Sequence, residues 1–307
     1  MTTCPILFLV FNRPEITSVT FLRIREARPT QLFVAADGPR DHVTGEASLC
    51  EETRNLITSQ IDWNCELHLL FREENLGCRQ SVSSAITWFF EHVEYGIILE
   101  DDCLPELTFF NFCTEMLSRY KDEESVVAIG GTNVFGTWER TPYSYLYSYQ
   151  GSIWGWASWR RAWALYDINL SDWETTEIRK DVRKVSLTDH FYKKREQIFN
   201  SSKKEQIDTW DYQWLYTRLK HKGLTIIPAT NQVSNLGFNE FATHTKKPTS
   251  KFSALTTYPM HFPLNHPEDI RLDEQFELAF LGHIHGNREE RANSYFQSRL
   301  KRIRDLF

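Results

Sequence analysis

The chain lacks every short fingerprint that assigns a cofactor at sight. No G-x-G-x-x-G follows its first apolar run, and no G-x-x-x-x-G-K-[ST] occurs anywhere. That sets aside nicotinamide dehydrogenases and P-loop enzymes, which need glycines where backbone closes on phosphate. There is no H-E-x-x-H helix for a zinc protease and no G-x-S-x-G elbow for an α/β-hydrolase. No apolar run approaches the length of a membrane span. Excess positive charge is missing too: the formal net charge is -6, which argues against nucleic acid as the main partner. The six cysteines (Cys4, Cys50, Cys65, Cys78, Cys103, Cys113) contain no Cys-x-x-Cys pair and are expected to be free thiols. His283-Ile284-His285 is an isolated pair in a polar stretch and reads as solvated. Met1–Pro5 carries no basic residue ahead of the first apolar run. That run therefore reads as a strand, not a signal peptide, and a cytoplasmic location is expected.

What is present is ample core material: 307 residues, 41% hydrophobic and 14% aromatic. Apolar runs at Pro5–Phe11, Gln31–Ala36, Glu66–Phe71 and Tyr95–Leu99 alternate with helical patterns. The helices are expected from Pro14 to Ala27, Glu46 to Ser59 and Arg79 to His92. Near-continuous apolar strands between helices predict an α/β fold with a mostly parallel central sheet covered on both faces. Further on, Leu107–Tyr120 and Asp208–Lys222 read as helices, and Val126–Gly130 and Thr225–Pro228 as strands. Without a linker or repeat, a single catalytic domain over residues 1–264 is expected, with a helical extension at 265–307. Trp154, Trp156, Trp159 and Trp163 crowd one tract. The last three fall at helical spacing, so most are expected in the core, with Trp154 or Trp156 facing an acceptor.

The most informative segment is Tyr95–Pro105, where an apolar strand runs straight into Glu100-Asp101-Asp102. Three adjacent acids at a strand end repel one another, and burial raises the cost. A divalent cation with hard oxygen ligands would compensate them and would also hold a nucleotide's phosphates. Ligands of open α/β sheets sit beyond the carboxyl ends of the strands. Asn75-Leu76-Gly77, with Arg79 at the next helix start, reads either as a plain helix-entry turn or as backbone N–H groups and a charge for a donor.

The order of these blocks resembles glycosyltransferases of the GT-A fold, a Rossmann-like nucleotide-diphospho-sugar transferase architecture. Within it the chain looks most similar to N-acetylglucosaminyltransferase I and to the bacterial nucleotide-diphospho-sugar transferases of the hemolytic-protein-like family. The matching blocks are Phe11–Glu15, Ala36-Asp37-Gly38, Ile98–Asp102 with Leu107–Phe112, Ser152–Leu165, and Trp210-Asp211 followed by Val233-Ser234-Asn235 and Thr243-His244-Thr245. The resemblance spans about residues 4–250 and splits the domain into a donor half at about 1–105 and an acceptor half at about 106–264. It implies an inverting, metal-dependent glycosyltransferase that moves a sugar from a UDP-sugar such as UDP-GlcNAc to a glycan or lipid-linked acceptor. In this reading Asp102 ligates Mn²⁺ or Mg²⁺, with His244 a second candidate. Asp101 lies by the ribose or metal, Glu100 by the transferred sugar. Arg13 and Asp37 hold the nucleotide; Trp154 and Trp156 line the acceptor side. The general base falls on Asp211, with Asp208 in reserve because the acids here are not adjacent as in the family. Competing readings are a sugar nucleotidyltransferase and a non-catalytic, hemolysin-like interaction protein. The loop after the first strand lacks the glycines expected of the nucleotidyltransferase.

Two further features stand beside these blocks. The polar loop Gly237–Lys247 is a candidate lid. In the tail, Phe296, Leu300, Ile303 and Phe307 form an apolar stripe flanked by Arg288, Arg291, Arg299, Lys301, Arg302 and Arg304. Such a helix packs either on the chain itself or peripherally on an anionic membrane surface.

Overall fold

A computed structural model describes residues 2–237 and 255–285. Its first half alternates β1 (Ile6–Val10), α1 (Pro14–Ala27), β2 (Gln31–Ala36), α2 (Glu46–Ser59), β3 (Glu66–Phe71), α3 (Gly77–His92) and β4 (Tyr95–Glu100). The chain continues through β5 (Cys103–Pro105), α4 (Leu107–Arg119), β6 (Val126–Gly130), β7 (Tyr145–Ser148), β8 (Trp156–Trp159) and α5 (Arg160–Trp163). Then come α6 (Thr176–Val185), α7 (Asp189–Lys203), α8 (Asp211–Lys220), β9 (Leu224–Pro228), β10 (Val233–Asn235) and α9 (Glu274–His285).

Eight strands form one sheet in the order β3-β2-β1-β4-β8-β6-β9-β7. β1 to β4 pair in parallel, while β8 runs antiparallel to both β4 and β6, and β7 antiparallel to β9. The fold is therefore mixed α/β, with a large central sheet flanked by helices. β1 and β2 are apolar on both sides because both faces are covered. Ile6, Phe8, Leu32 and Val34 join a core with Phe21 and Ile24 of α1, Ile57 of α2 and Met116 of α4. Leu7, Leu9 and Phe33 join another with Ile86 and Phe89 of α3. The chain leaves β1 toward β2 and β3, then returns to place β4 on β1's other side. The carboxyl ends of β1 and β4 thus flank a topological switch point, where such sheets open a crevice. A small second sheet pairs β10 with β5 beside it, with Asn235 opposite Cys103.

One expectation changes here. The tryptophan tract is not a helix: Trp156–Trp159 is β8, inserted antiparallel between β4 and β6. Strand alternation and the following short α5 bury Trp156, Trp159 and Trp163 without helical periodicity. Residues 265–285 are also tied closely to the sheet. Phe276 and Phe280 of α9 pack with Val134, Leu146 and Ile227. Glu277, fully buried, accepts hydrogen bonds from Ser148 Oγ, Tyr149 N (3.0 Å) and Gln150 Nε2 (2.6 Å), and lies 3.7 Å from Arg195 Nη2. All six cysteines are free. No helix among the described residues is long and apolar enough to cross a membrane. The basic tail at 288–307 lies outside the described residues, as does the Gly237–Lys247 loop beyond Gly237.

Candidate active site

The β1–β4 register sets Leu9 beside Glu100, so the residues after each strand meet. Pro14 at the start of α1 keeps Arg13 out of the helical region (φ -121°, ψ 69°), where the chain leaves β1. The Arg13 guanidinium then reaches across to the acids. Its Nε donates to Asp101 Oδ2 at 3.1 Å, and its Nη2 donates to Asp101 Oδ1 and to Asp102 Oδ2, the latter at 3.1 Å. This bidentate grip on Asp101 is the strong form of an ion pair. Part of the compensation that the acid triplet needs is therefore an arginine of the chain itself.

One positive charge against three acids leaves a deficit. Asp101 and Asp102 are nearly inaccessible, 3% and 9% exposed. Burial, partly offset by Arg13 and reinforced by the charge of Asp102, pushes the Asp101 carboxyl up to about 6. Glu100 has no such partner, and its Oε1 is buried without a hydrogen bond. Burial first, then the charges of Asp102 and Asp101, hold Glu100 well above the ordinary carboxylate range. Asp211 pushes in the same direction, which brings α8 within electrostatic reach of the triplet.

Asp102 is also held from the second sheet. Asn235 Nδ2 donates to Asp102 Oδ1 at 3.2 Å, Leu236 N donates to the Asp102 carbonyl at 2.8 Å, and Gly237 N donates to Asn235 Oδ1 at 2.7 Å. A Cβ on Gly237 would lie 2.2 Å from Asp102 Oδ2, so only glycine admits this approach. Asn235 falls in a block that the sequence marks and Gly237 at the start of the candidate lid, but the sequence assigned neither to Asp102. The signal was the Val233-Ser234-Asn235 block, too short to announce a strand.

Asp37, Asn75 and Gly77 come together, but with one another. The Asp37 carboxylate accepts from Leu76 N (3.0 Å), Gly77 N (3.1 Å), Asn75 Nδ2 (3.1 Å) and Gly38 N (3.0 Å). Asp37 therefore clamps the turn into α3 at the end of β2, and Gly77 takes the left-handed conformation (φ 76°) there. The backbones touch: a Cβ on Gly38 would sit 2.4 Å from the carbonyl carbon of Glu74. Arg79 departs from expectation. It is buried and its Nη2 donates to Ile168 O at 2.9 Å, while Nη1 pairs with Glu205 at 2.7 Å. Its charge is committed to the α5–α6 loop and to the end of α7 and is not offered to a donor.

Asp208 is committed as well. It accepts from Cys78 N (3.1 Å) and Arg79 N (2.9 Å), satisfying the open amides at the start of α3. Asp211, in the first turn of α8, accepts from the Thr209 hydroxyl. Its position is set by aromatic packing. Trp210 stacks on Trp156 (5.8 Å, 23°), Trp163 stacks on Tyr166 (4.2 Å, 11°), and the Tyr166 hydroxyl donates to Trp210 O at 3.1 Å. Trp156 is 1% exposed in this cluster, which overturns its assignment to the acceptor side. Its flat ring fills core between β8 and α8, where no acceptor reaches. Trp154 is half-buried, packed on the core of the opposite face. His244 lies outside the described residues.

No protein-family model matches the chain, and no curated protein matches it. Among solved structures it is similar to HddC from Yersinia pseudotuberculosis, at 9% identity over 52% of this chain and 77% of that chain, with a TM-score of 0.31. It is also similar to UDP-glucose pyrophosphorylase complexed with UDP-glucose, at 8% identity over 53% and 78%, with a TM-score of 0.32. Likeness at that level carries no weight for ligand or activity.

Proposed function

We infer that the chain is an inverting glycosyltransferase that uses a nucleotide-diphosphate sugar and a divalent cation. The observation that supports this most is the Glu100-Asp101-Asp102 cluster at the β1–β4 switch point, under-compensated by Arg13 and closed from behind by Asn235 and Gly237. Among the described residues, no group of three or more His, Cys, Asp or Glu side chains is arranged to hold a metal by itself. The donor set nevertheless fits a hard cation that arrives with phosphates, since Mg²⁺-type sites use one or two carboxylates and complete their shell from the substrate. Asp102 would hold it, with Asp101 adjacent. The chemistry such an ion supplies is neutralisation of charge on the departing diphosphate.

The remaining work falls to the chain's own residues. Arg13 keeps Asp101 and Asp102 oriented. Glu100, whose carboxyl is held well above the ordinary carboxylate range by burial and by Asp102 and Asp101, hydrogen-bonds a hydroxyl of the transferred sugar. Asp211 takes the proton of the acceptor hydroxyl during an in-line displacement. Asp208 is the weaker candidate because both its oxygens already cap α3. Glycosyl transfer is favoured over nucleotidyl transfer because the loop after β1, Phe11–Pro14, has no glycine to let backbone close on a triphosphate. A thermal-shift screen of uridine diphosphate sugars tests the reading. A ligand bound only by the folded state at a hundred times its Kd stabilises by about 2.7 kcal/mol. Stabilisation is expected only when sugar nucleotide and Mn²⁺ are present together. No shift with any nucleotide sugar contradicts it.

A further inference from the structure

The two edges of the central sheet are treated differently. At β7, Leu272 bridges Tyr147, Asp273 N donates to Tyr147 O at 2.9 Å, and α9 packs alongside. At β3 no described residue pairs with the outer side. Edge strands are usually blunted by lysine, proline or a bulge. β3 reads Glu-Leu-His-Leu-Leu-Phe and has none of these, and its register with β2 is unbroken from Glu66 to Phe71.

Two hydrogen bonds fix which backbone groups face outward. Glu66 N donates to Thr30 O at 2.9 Å and Arg72 N donates to Ala36 O at 3.0 Å. With the two-residue period of a strand, Glu66, His68, Leu70 and Arg72 turn toward β2. Leu67, Leu69 and Phe71 therefore present N–H and C=O to the open side. Leu67 and Leu69 are also 36% and 45% exposed.

We propose that a second copy of this chain occupies this edge, with β3 pairing antiparallel to β3 of the partner about a two-fold axis at Leu69. A strand that pairs antiparallel with itself makes an isologous, closed interface. With Leu69 on the axis, the outward groups of Leu67, Leu69 and Phe71 form the hydrogen-bonded pairs, and Leu67 faces Phe71 of the partner subunit. On the other face His68 meets Leu70 of the partner subunit, and Glu66 meets Arg72 of the partner subunit, once at each end. The strand is thus complementary to itself in both apolar surface and charge. The neighbouring register, centred on His68, would set His68 against its own copy and Glu66 against a leucine. The dimer joins the two central sheets into one continuous sheet.

The test is the solution mass of the full chain by sedimentation equilibrium, across a concentration series. The wild type is expected at twice 36.3 kDa. Leu69→Lys sets two ammonium groups against each other at the axis and is expected to sediment as a monomer with an unchanged circular-dichroism spectrum. Glu66→Arg is expected to weaken the dimer at least tenfold, and adding Arg72→Glu to restore it. Amide exchange at Leu67, Leu69 and Phe71 is expected to slow as concentration rises. A wild-type monomer at every concentration overturns the proposal, as does a dimer that survives Leu69→Lys. Failure of the charge swap to restore pairing overturns the register.

Discussion

Replacing Asp101 by asparagine should stabilise the metal-free protein at neutral pH and leave it unchanged in acid. The folded carboxyl is pushed from 3.8 up to about 6, burial being the largest cause. A raised acid favours folding while it stays protonated, and that contribution is lost as pH rises through the folded value. Below about pH 4 the wild-type side chain is protonated in both states, and asparagine mimics it. Above about pH 6 the wild-type fold must hold a carboxylate that its surroundings disfavour. The gap between 3.8 and about 6 corresponds to about 3 kcal/mol. That is an upper bound, because asparagine also gives up the ion pair of Asp101 with Arg13. Urea unfolding of both proteins at a series of pH values reads the difference directly. Acids with lowered values elsewhere, such as Glu46 beside Arg40, act alike in both and cancel. The stability difference should open between pH 4 and pH 6 in favour of the variant. A flat difference, or a wild type that gains on the variant as pH rises, refutes the electrostatic account of the triplet.

Asp211→Asn should retain donor affinity in calorimetry and lose transfer about a hundredfold, the usual scale for a general base. Asp208→Ala should instead cost about 1 kcal/mol of stability by removing the acceptor of the Cys78 and Arg79 amides, with transfer largely kept; the reverse pattern in a coupled transfer assay exchanges their roles. Gly38→Ala drives a methyl into the Glu74 backbone and should cost about 1–3 kcal/mol in urea unfolding, while weakening donor binding through the Asp37 turn. Glu277→Ala leaves Arg195, 2% exposed, without its counter-charge and should cost about 3–5 kcal/mol, measured by thermal or urea unfolding.

The first third of the chain was legible because its signals are local. β2, α2 and β3 run over the ranges that the apolar pattern marks, since continuous apolar strands and amphipathic helices betray themselves residue by residue. The rest of the chain depends on longer-range facts. β8 enters the sheet antiparallel to both neighbours, and no pattern within Trp156–Trp159 reveals that. β5 and β10 are three residues each and exist because they pair with one another. α6 shows only Ile178, Val182 and Val185 as apolar positions among charges, too sparse to stand out. The acid triplet was visible in the sequence, whereas its counter-charge was not. Arg13 lies 88 positions from Asp101, and only the parallel β1–β4 pairing brings them together. Arg79 shows the converse: a basic residue at a helix start suggested a phosphate, but its side chain is taken by Ile168 and Glu205.

With Asp102 as its protein ligand, a divalent cation becomes a requirement for nucleotide binding. Isothermal titration of uridine diphosphate into the wild type and Asp102→Asn, each with Mn²⁺ and with chelator, tests it most directly. Tight binding is expected of the wild type only with Mn²⁺, and no gain from Mn²⁺ in a variant whose melting curve remains cooperative. Equal affinity with and without Mn²⁺ in the wild type, or an undiminished Mn²⁺ effect in Asp102→Asn, would contradict it.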